Sequence, residues 1–387
     1  MSSLDPSPQQ AINLVILGKT AIISAGIPVV PPDSIFRMQN RFSWKRRNIM
    51  NHPRLVVSML RPEFYPNKPD TVEFIQTHIS YIFIAGDLVY KVKKAVDFGF
   101  LDFTTLGKRK FYCDKEVLLN HRFAPDVYLD VVRIIEDKNG NLLLSNGDRI
   151  VEYAVEMKKV PEDRMLYRLV EENKVTEGDV RRVGIYLARV YRNIQSDEKA
   201  GLFGTPAVVS KNVMENFDQT RKYVGGPVSS HMFNAIESWS RSFIDNNSKL
   251  FAKRITDGHI KDCHGDLHLQ HICIDDDRIS VFDCIEFNER FRFGDVASDV
   301  AFLSMDFDFN NRRDLAHVFV DAYREESEDM EMMNILSFYK TYRAMVRAKV
   351  TSFMLDDDTL DEVARRNAFL KAKQYYDLAY EYVSNED

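Results

Sequence analysis

Asp266 lies in Asp262-Cys-His-Gly-Asp-Leu-His-Leu-Gln-His-Ile-Cys273, the part of this 387-residue chain densest in groups able to do chemistry. A hydroxyl that attacks phosphorus needs a carboxylate to orient it and receive its proton. Asp266, in the pattern His264-Gly265-Asp266-Leu267, is a candidate for that role. Downstream, Val281-Phe282-Asp283 sets a second carboxylate at the end of an apolar, strand-like run, where it can hold the magnesium that bridges ATP phosphates. Upstream, Lys91 sits mid-strand in Val89-Tyr90-Lys91-Val92, and Glu116 falls on the helix that follows. Such a pair can hold an ammonium against the α- and β-phosphates. Lys93 shares strand parity with Lys91 and is the fallback. Each residue alone is weak, because a lone strand lysine or helical glutamate is ordinarily a solvated charge. The four in this order point to phosphoryl transfer.

The elements that must position these groups are legible in the pattern. Thr71 to Gln76, Ser80 to Ile84 and Leu88 to Val92 read as three short strands, with Ala85-Gly86-Asp87 as a tight turn. A helix over Leu106 to Phe123, capped by Thr104 or Thr105, is stopped by Pro125. Val127 to Ile135 and Asn141 to Lys158 return to strand texture around Asn139-Gly140 and Asn146-Gly147. Beyond Pro161 helical periodicity dominates: Asp163 to Glu172, Glu177 to Ile194, Val213 to Tyr223, and Met232 to Leu250. Asp262 to Phe282 reads as strand-loop-strand. From Phe302 to Val383 the chain is helical, with breaks expected near Glu325 and Asp356. The expectation is therefore an α+β chain with an N-terminal extension over 1–70, a small antiparallel-sheet lobe with one key helix over 71–160, and a large helical lobe over 161–387.

The runs His264-Gly-Asp-Leu-His268, Phe282-Asp283 and Gly294-Asp295-Val-Ala-Ser-Asp299-Val-Ala301 resemble the aminoglycoside phosphotransferase family. Tyr90 to Phe103 and Phe282-Asp-Cys-Ile-Glu-Phe-Asn288 resemble an uncharacterised bacterial branch of it. The resemblance covers about Thr71 to Val383. It implies a protein-kinase-like, two-lobed fold using ATP and Mg2+, a cleft between the lobes, and transfer to a hydroxyl. By that resemblance Asp266 is the catalytic carboxylate and Asp283 the principal metal ligand. Lys91 and Glu116 are the phosphate-binding pair, and His264, Asp295 and Asp299 support the loop. Met157-Lys158-Lys159-Val160-Pro161 is similar to the connector whose backbone binds adenine, and Thr77, His78 and Ser80 lie in the turn that covers the phosphates. Members of that branch often carry a P-loop ATPase domain. In this sequence only Leu17-Gly18-Lys19-Thr20 is P-loop-like, and Asn13 stands where the earlier glycine belongs.

Two departures matter. His271 occupies the position where an asparagine is the usual second metal ligand. Imidazole suits softer ions than magnesium, so a relative gain with Mn2+ is expected. The phosphate-covering turn holds no glycine, so side chains such as Ser80 are expected to substitute. These departures keep a nucleotide-binding pseudokinase and an AMP-transferring variant in view. Cys263, His264, His268, His271 and Cys273 also raise a zinc hydrolase or structural zinc site, without a familiar zinc spacing.

The acceptor is the least legible feature. Lys340, Arg343 and Arg347 recur on one helical face, which reads either as solvated charge or as a wall for an acidic or phosphorylated acceptor. Glu286, Glu289, Asp306 and Asp308 would suit a polycation. A small hydroxylated molecule, such as a sugar or nucleoside, fits as well as an aminoglycoside.

Composition bounds the rest. A net charge of −6 and 28% charged residues exclude a general binder of nucleic acid or anionic membrane. Four cysteines without a CxxC pair fit a reducing, cytoplasmic setting. Ala11 to Val30, the most apolar N-terminal stretch, is interrupted by Lys19 and Pro28 and is a poor leader or span. Met50 is a candidate alternative start.

Overall fold

The computed structural model describes residues 53–385. The Leu17–Thr20 fragment, the Ala11–Val30 stretch and Met50 lie outside the described residues. The described residues divide into two compact units, 53–121 with 125–159, and 122–124 with 160–385.

Within the first unit, helix α1 (Arg54–Met59) precedes strands β1 (Val72–Gln76), β2 (Ser80–Ala85) and β3 (Leu88–Lys93). Helix α2 (Leu106–Asn120) follows, then β4 (Tyr128–Glu136), β5 (Leu142–Leu144) and β6 (Ile150–Lys158). The six strands form one antiparallel sheet in the order β1-β2-β3-β6-β4-β5. Alternation in β2 and β3 sends Phe83, Tyr90 and Val92 into a core shared with Val56, Met59 and Tyr65. Tyr65 stacks near Tyr90 and donates its hydroxyl to the carbonyl of Met59 at 2.7 Å. Residues 53–70, expected as part of an extension, thus contribute to this core, and the unit carries α1 besides the one helix expected. Local sequence gave no warning, because six helical residues are too few for a readable period.

Thr105 caps α2 by accepting the N–H of Lys108. Buried Arg109 on the same helix forms an ion pair with Glu152 of β6 at 2.8 Å, which fastens α2 to the sheet.

The second unit is mainly helical. It runs α3 (Leu166–Glu171), α4 (Glu177–Asn193), α5 (Glu198–Leu202), α6 (Pro206–Thr220), α7 (Ser230–Asn246) and α8 (Ser248–Thr256). Strands β7 (Ile260–Asp262), β8 (Ile272–Asp275) and β9 (Arg278–Val281) interrupt the helices, followed by the short α9 (Glu289–Arg292) and β10 (Phe293–Asp295). Four helices complete the unit: α10 (Val296–Phe309), α11 (Arg313–Ser327), α12 (Met333–Phe353) and α13 (Glu362–Ser384). Several boundaries differ from expectation: the helix expected over Val213 to Tyr223 is α6, starting at Pro206, α5 was not expected, and two expected runs are broken. The run Met232 to Leu250 is two helices, because Asn247 donates its side chain back to the carbonyl of Phe243 at 2.8 Å and ends α7. Between Phe302 and Val383 there is an additional break at Asn310-Asn311, where Asn311 takes a positive φ of 59°. Among the described residues no helix is long and apolar enough to cross a membrane.

Candidate active site

The large unit builds its site from two small antiparallel pairs. β7 pairs with β10, with Asp262 opposite Phe293 and Ile260 opposite Asp295. This pairing sets the loop that leaves β7, His264-Gly265-Asp266, beside the first turn of α10. Asp299 on that turn accepts the N–H of His264 at 2.8 Å and of Gly265 at 3.2 Å. Tyr191 donates to the same carboxylate at 2.5 Å, and Arg343 on α12 lies 3.4 Å away. Arg343 also donates to the Gly265 carbonyl at 3.0 Å. Gly265 has a φ of +83°, and a Cβ there would lie 2.7 Å from the Phe291 carbonyl oxygen. The position therefore requires glycine.

Asp295 does different work. Arg254 of α8 donates to both its oxygens at 2.6 and 2.8 Å, and the Ala297 N–H caps on it at 2.9 Å. It anchors the start of α10 rather than the loop itself.

The second pair, β8 and β9, delivers Asp283. Phe282 donates its N–H to the His271 carbonyl and Ile285 donates to the His264 carbonyl, both at 3.0 Å. Asp283 is held between these two rungs with φ +63°, a left-handed conformation that costs a non-glycine residue roughly 1 kcal/mol. Such a cost is retained where the side chain's direction matters.

His271 stands between the two carboxylates. Its Nδ1 is 3.9 Å from Asp266 Oδ2 and its Nε2 is 3.8 Å from Asp283 Oδ2. Nδ1 also sits 2.8 Å from the Asp266 carbonyl oxygen, which can only accept, so Nδ1 carries the hydrogen. The lone pair is then on Nε2 and faces Asp283. Burial first, then His268, pulls the His271 pKa down to about 3, so the ring is neutral. Two electron-pair donors facing each other at this distance suit a cation between them, and the donor set fits the metal position expected for Asp283 and His271.

Two other histidines are fixed in the same way. His264 Nδ1 receives the Asp266 N–H at 3.3 Å and its Nε2 donates to the Phe282 carbonyl at 2.9 Å. His268 Nδ1 receives the Gln270 N–H at 3.3 Å, which leaves its hydrogen on Nε2, 3.7 Å from Asp266 Oδ2. That Nε2 is buried without a hydrogen-bond partner. Asp266 itself keeps 18% of its side chain exposed. Burial pushes its pKa up, but His268, then His271 and Arg347, outweigh it and hold the carboxyl well below the usual range. Asp266, His268 and His271 have ligand atoms close enough to surround an ion. The Nδ1 hydrogen of His271 disfavours that set and favours the Asp283 side.

The five-residue His/Cys set is not brought together as a zinc cage. The Cys263 thiol donates to the Gly294 carbonyl and the Cys273 thiol points to the Pro161 carbonyl. Burial keeps Cys263 far above the ordinary thiol pKa and raises Cys273 to about 12, so neither is a ready thiolate.

In the small unit Lys91 Nζ lies 2.7 Å from Glu116 Oε1 and Lys93 Nζ lies 2.6 Å from Glu116 Oε2. Lys91, Lys93 and Glu116 are 6%, 2% and 0% exposed. One carboxylate therefore serves both lysines, and Lys93 also lies over the Phe103 ring at 4.9 Å. Sequence parity made Lys91 and Lys93 alternatives; tertiary packing uses them together.

The β1–β2 turn closes on its own atoms. Thr77 Oγ1 accepts the N–H groups of Ile79 and Ser80 at 3.2 and 2.9 Å, and Thr77 N–H donates to the Ser80 carbonyl at 2.9 Å. The Lys94 ammonium bonds the Thr77 carbonyl. Those N–H groups are spent within the turn and do not form an open cradle. His78 lies at its tip, and Ser80 Oγ is buried without a partner. Met157 and Lys158 remain inside β6, opposite Val89 and Leu88. The N–H groups of Lys158 and Lys159 bond Val127 and Asp87.

The basic face of α12 is not solvated, and it splits by role. Lys340 pairs with Asp308 at 2.8 Å. Arg343 belongs to the loop brace. Arg347 is 5% exposed and donates from Nε to the Tyr375 hydroxyl at 3.2 Å. Among the acidic residues, Asp308 takes Lys340 and the Tyr382 hydroxyl, Asp306 accepts the Leu269 N–H at 3.0 Å, and Glu289 pairs with exposed Lys199. Glu286 is fully buried.

Residues 250–335 match the model of the phosphotransferase enzyme family, and this segment contains every large-unit residue from His264 to Asp308 discussed above. Uncharacterized proteins of Mycobacterium tuberculosis (strain ATCC 25618 / H37Rv) and Mycobacterium bovis are each 31% identical over 279 residues, covering 72% of this chain and 54% of theirs. The chain spans about half the length of these curated relatives. Among solved structures, a choline/ethanolamine kinase family protein from Mesorhizobium loti aligns with a TM-score of 0.47 at 12% identity, over 88% of this chain and 98% of that one. An amicoumacin kinase in complex with AMP-PNP, Ca2+ and Ami aligns at 0.48 and 15% identity, over 86% and 96%.

Proposed function

We propose that this chain, whose residues 250–335 match the model of the phosphotransferase enzyme family, moves the γ-phosphoryl group of ATP to a hydroxyl of a small molecule. The observation that carries the reading is the placement of His271 between the Asp266 and Asp283 carboxylates, at 3.9 and 3.8 Å. One carboxylate is partly open, with His268 Nε2 3.7 Å away. The other faces a neutral imidazole lone pair.

In this reading Asp266 orients the acceptor hydroxyl. Its depressed pKa makes it a weak base, so it takes the proton late, as the new phosphorus–oxygen bond forms and the bond to ADP breaks. Asp299 and Arg343 hold the loop backbone so that the carboxylate does not wander. Asp283 and His271 Nε2 would hold a divalent ion, which when bound supplies positive charge to the β- and γ-phosphates. Lys91, held by Glu116, contributes charge toward the α- and β-phosphates. Rate enhancement would come mainly from positioning and electrostatics. A cytoplasmic setting accompanies this reading and is supported by four free, buried cysteines.

The test is ATP binding by calorimetry, with Mg2+ and then Mn2+, on wild type and Asp283→Ala. Metal-dependent binding that the variant loses supports the nucleotide site and justifies an acceptor screen. No binding with either metal sinks the reading. Tight binding with no transfer to any acceptor would instead favour a nucleotide-binding pseudokinase. AMP release from ATP onto an acceptor would favour adenylyl transfer.

A further inference from the structure

Among the described residues, Arg347 is the one cation of the Lys340–Arg343–Arg347 face of α12 that forms no ion pair. Lys340 has Asp308, and Arg343 has the loop and Asp299. Arg347 donates only through Nε, to Tyr375. Among the described residues its two terminal amino groups meet no acceptor, no carboxylate comes within ion-pair distance, and they are not sealed from solvent. An arginine 95% buried with its fork unused is expensive unless a ligand completes it.

A second cation stands next to it. Tyr375 and Lys371 are one turn apart on α13 and so share a face. Arg347 touches Tyr375, which places Lys371 beside Arg347. Lys371 forms no ion pair among the described residues either. Burial, then the charge of Arg347, lowers its pKa, as expected of two cations sharing a place without an anion. Phe309 stacks on Tyr375 at 3.8 Å between ring centres and stiffens this wall.

The wall lies close to the reacting group. Arg343, one helical turn before Arg347, bonds the Gly265 carbonyl, so this row of α12 faces the His264–Asp266 loop. Arg347 is also near enough to Asp266 to help hold its carboxyl ionised. The nearby Asp306 offsets part of the positive charge, but one of its oxygens is spent on the Leu269 N–H.

We propose that the acceptor is itself an anion, a small hydroxylated molecule bearing a phosphate or carboxylate group that binds in the fork of Arg347 and is seconded by Lys371, with its hydroxyl at Asp266. The inference rests on the phosphotransferase reading for the role of the anion, and on Arg347 and Lys371 alone for its existence. It also agrees with the fates of Asp306, Asp308 and Glu289, each of which has an internal partner.

The test measures binding of inorganic phosphate, glycerol 3-phosphate, glycerate and choline to the full chain by calorimetry, with and without saturating AMP-PNP and Mn2+. The proteins are wild type, Arg347→Met, Arg347→Lys, Lys371→Met and, as a surface control on the same helix, Lys373→Met. The expected result is binding of glycerol 3-phosphate or glycerate in the presence of AMP-PNP, weakened at least tenfold in Arg347→Met and Lys371→Met, partly kept in Arg347→Lys, and unchanged in Lys373→Met. Which probe binds more tightly separates a phosphate-bearing from a carboxylate-bearing acceptor. AMP-PNP affinity should stay within about twofold throughout. Choline binding tighter than either anion overturns the proposal, as does anion binding that ignores both substitutions. Competition between the anions and AMP-PNP, with Arg347→Met weakening the nucleotide tenfold, would assign the fork to the nucleotide and also overturns it. Should Arg347→Met fail to fold, the half-buried Lys371→Met still decides. If AMP-PNP does not bind but anions do so through Arg347, the phosphotransferase reading fails while the anion site stands.

Discussion

The Nε2 lone pair of His271 faces Asp283 Oδ2 at 3.8 Å, because Nδ1 of the same ring is occupied in donating to the Asp266 carbonyl. A neutral nitrogen paired with a carboxylate is a softer donor set than two oxygens. Nucleotide binding should therefore be stronger with Mn2+ than with Mg2+, and His271→Asn should narrow that ratio by about tenfold, near 1.4 kcal/mol. Calorimetry of ATP with each ion reads it directly. An unchanged ratio would remove His271 from the metal site.

Asp266 should matter to turnover and little to nucleotide affinity. Its carboxylate approaches the two histidines at 3.7 and 3.9 Å and keeps 18% of its side chain exposed, where an acceptor hydroxyl can reach it. Asp266→Asn is expected to lower kcat about 100- to 10,000-fold while ATP affinity moves less than about threefold. Steady-state kinetics beside a binding isotherm would show the split. Near wild-type turnover would end its catalytic assignment.

Glu116 neutralises two buried ammonium groups at once, at 2.7 and 2.6 Å. Glu116→Gln takes away that charge from both and should destabilise the small unit by about 3–5 kcal/mol. Urea unfolding followed by tryptophan-independent far-UV signal measures this. Lys91→Met and Lys93→Met separate the pair: the first should weaken ATP, and the second, fully buried over Phe103, should chiefly cost stability.

Lys349 on α12 predicts the pH dependence. It is 7% exposed, and burial, helped by Arg290, lowers its pKa to about 7 against 10.5. Between those values the unfolded chain binds the proton and the folded one does not, so this group makes stability rise with pH from about 7 to 10.5. Below pH 7 both states are protonated and the cost of burying the charge is complete, at most about 5 kcal/mol. Lys349→Met should stabilise the protein most near pH 6 and flatten the rise up to pH 9. Thermal melts of the two proteins across that range give the comparison, and parallel curves would contradict the assignment.

Much of this molecule follows from local sequence. Strands β1 to β3 fell within one residue of expectation, because alternation and the Ala85-Gly86-Asp87 turn are short-range signals. The Lys91–Glu116 pairing was likewise expected, from a strand lysine followed by a helical glutamate, and the two meet at 2.7 Å. Tertiary structure decided what each charge meets. Parity could not say that Lys91 and Lys93 share one carboxylate, nor periodicity that Arg343 binds the Gly265 carbonyl, 78 residues away. The basic face of α12 looked uniform because helical spacing reports only which residues point the same way. Whether a cation there finds Asp308, a loop carbonyl or only a tyrosine hydroxyl depends on which other helices pack against it, and from that packing Arg347 and Lys371 emerge as a pair that sequence spacing alone keeps apart.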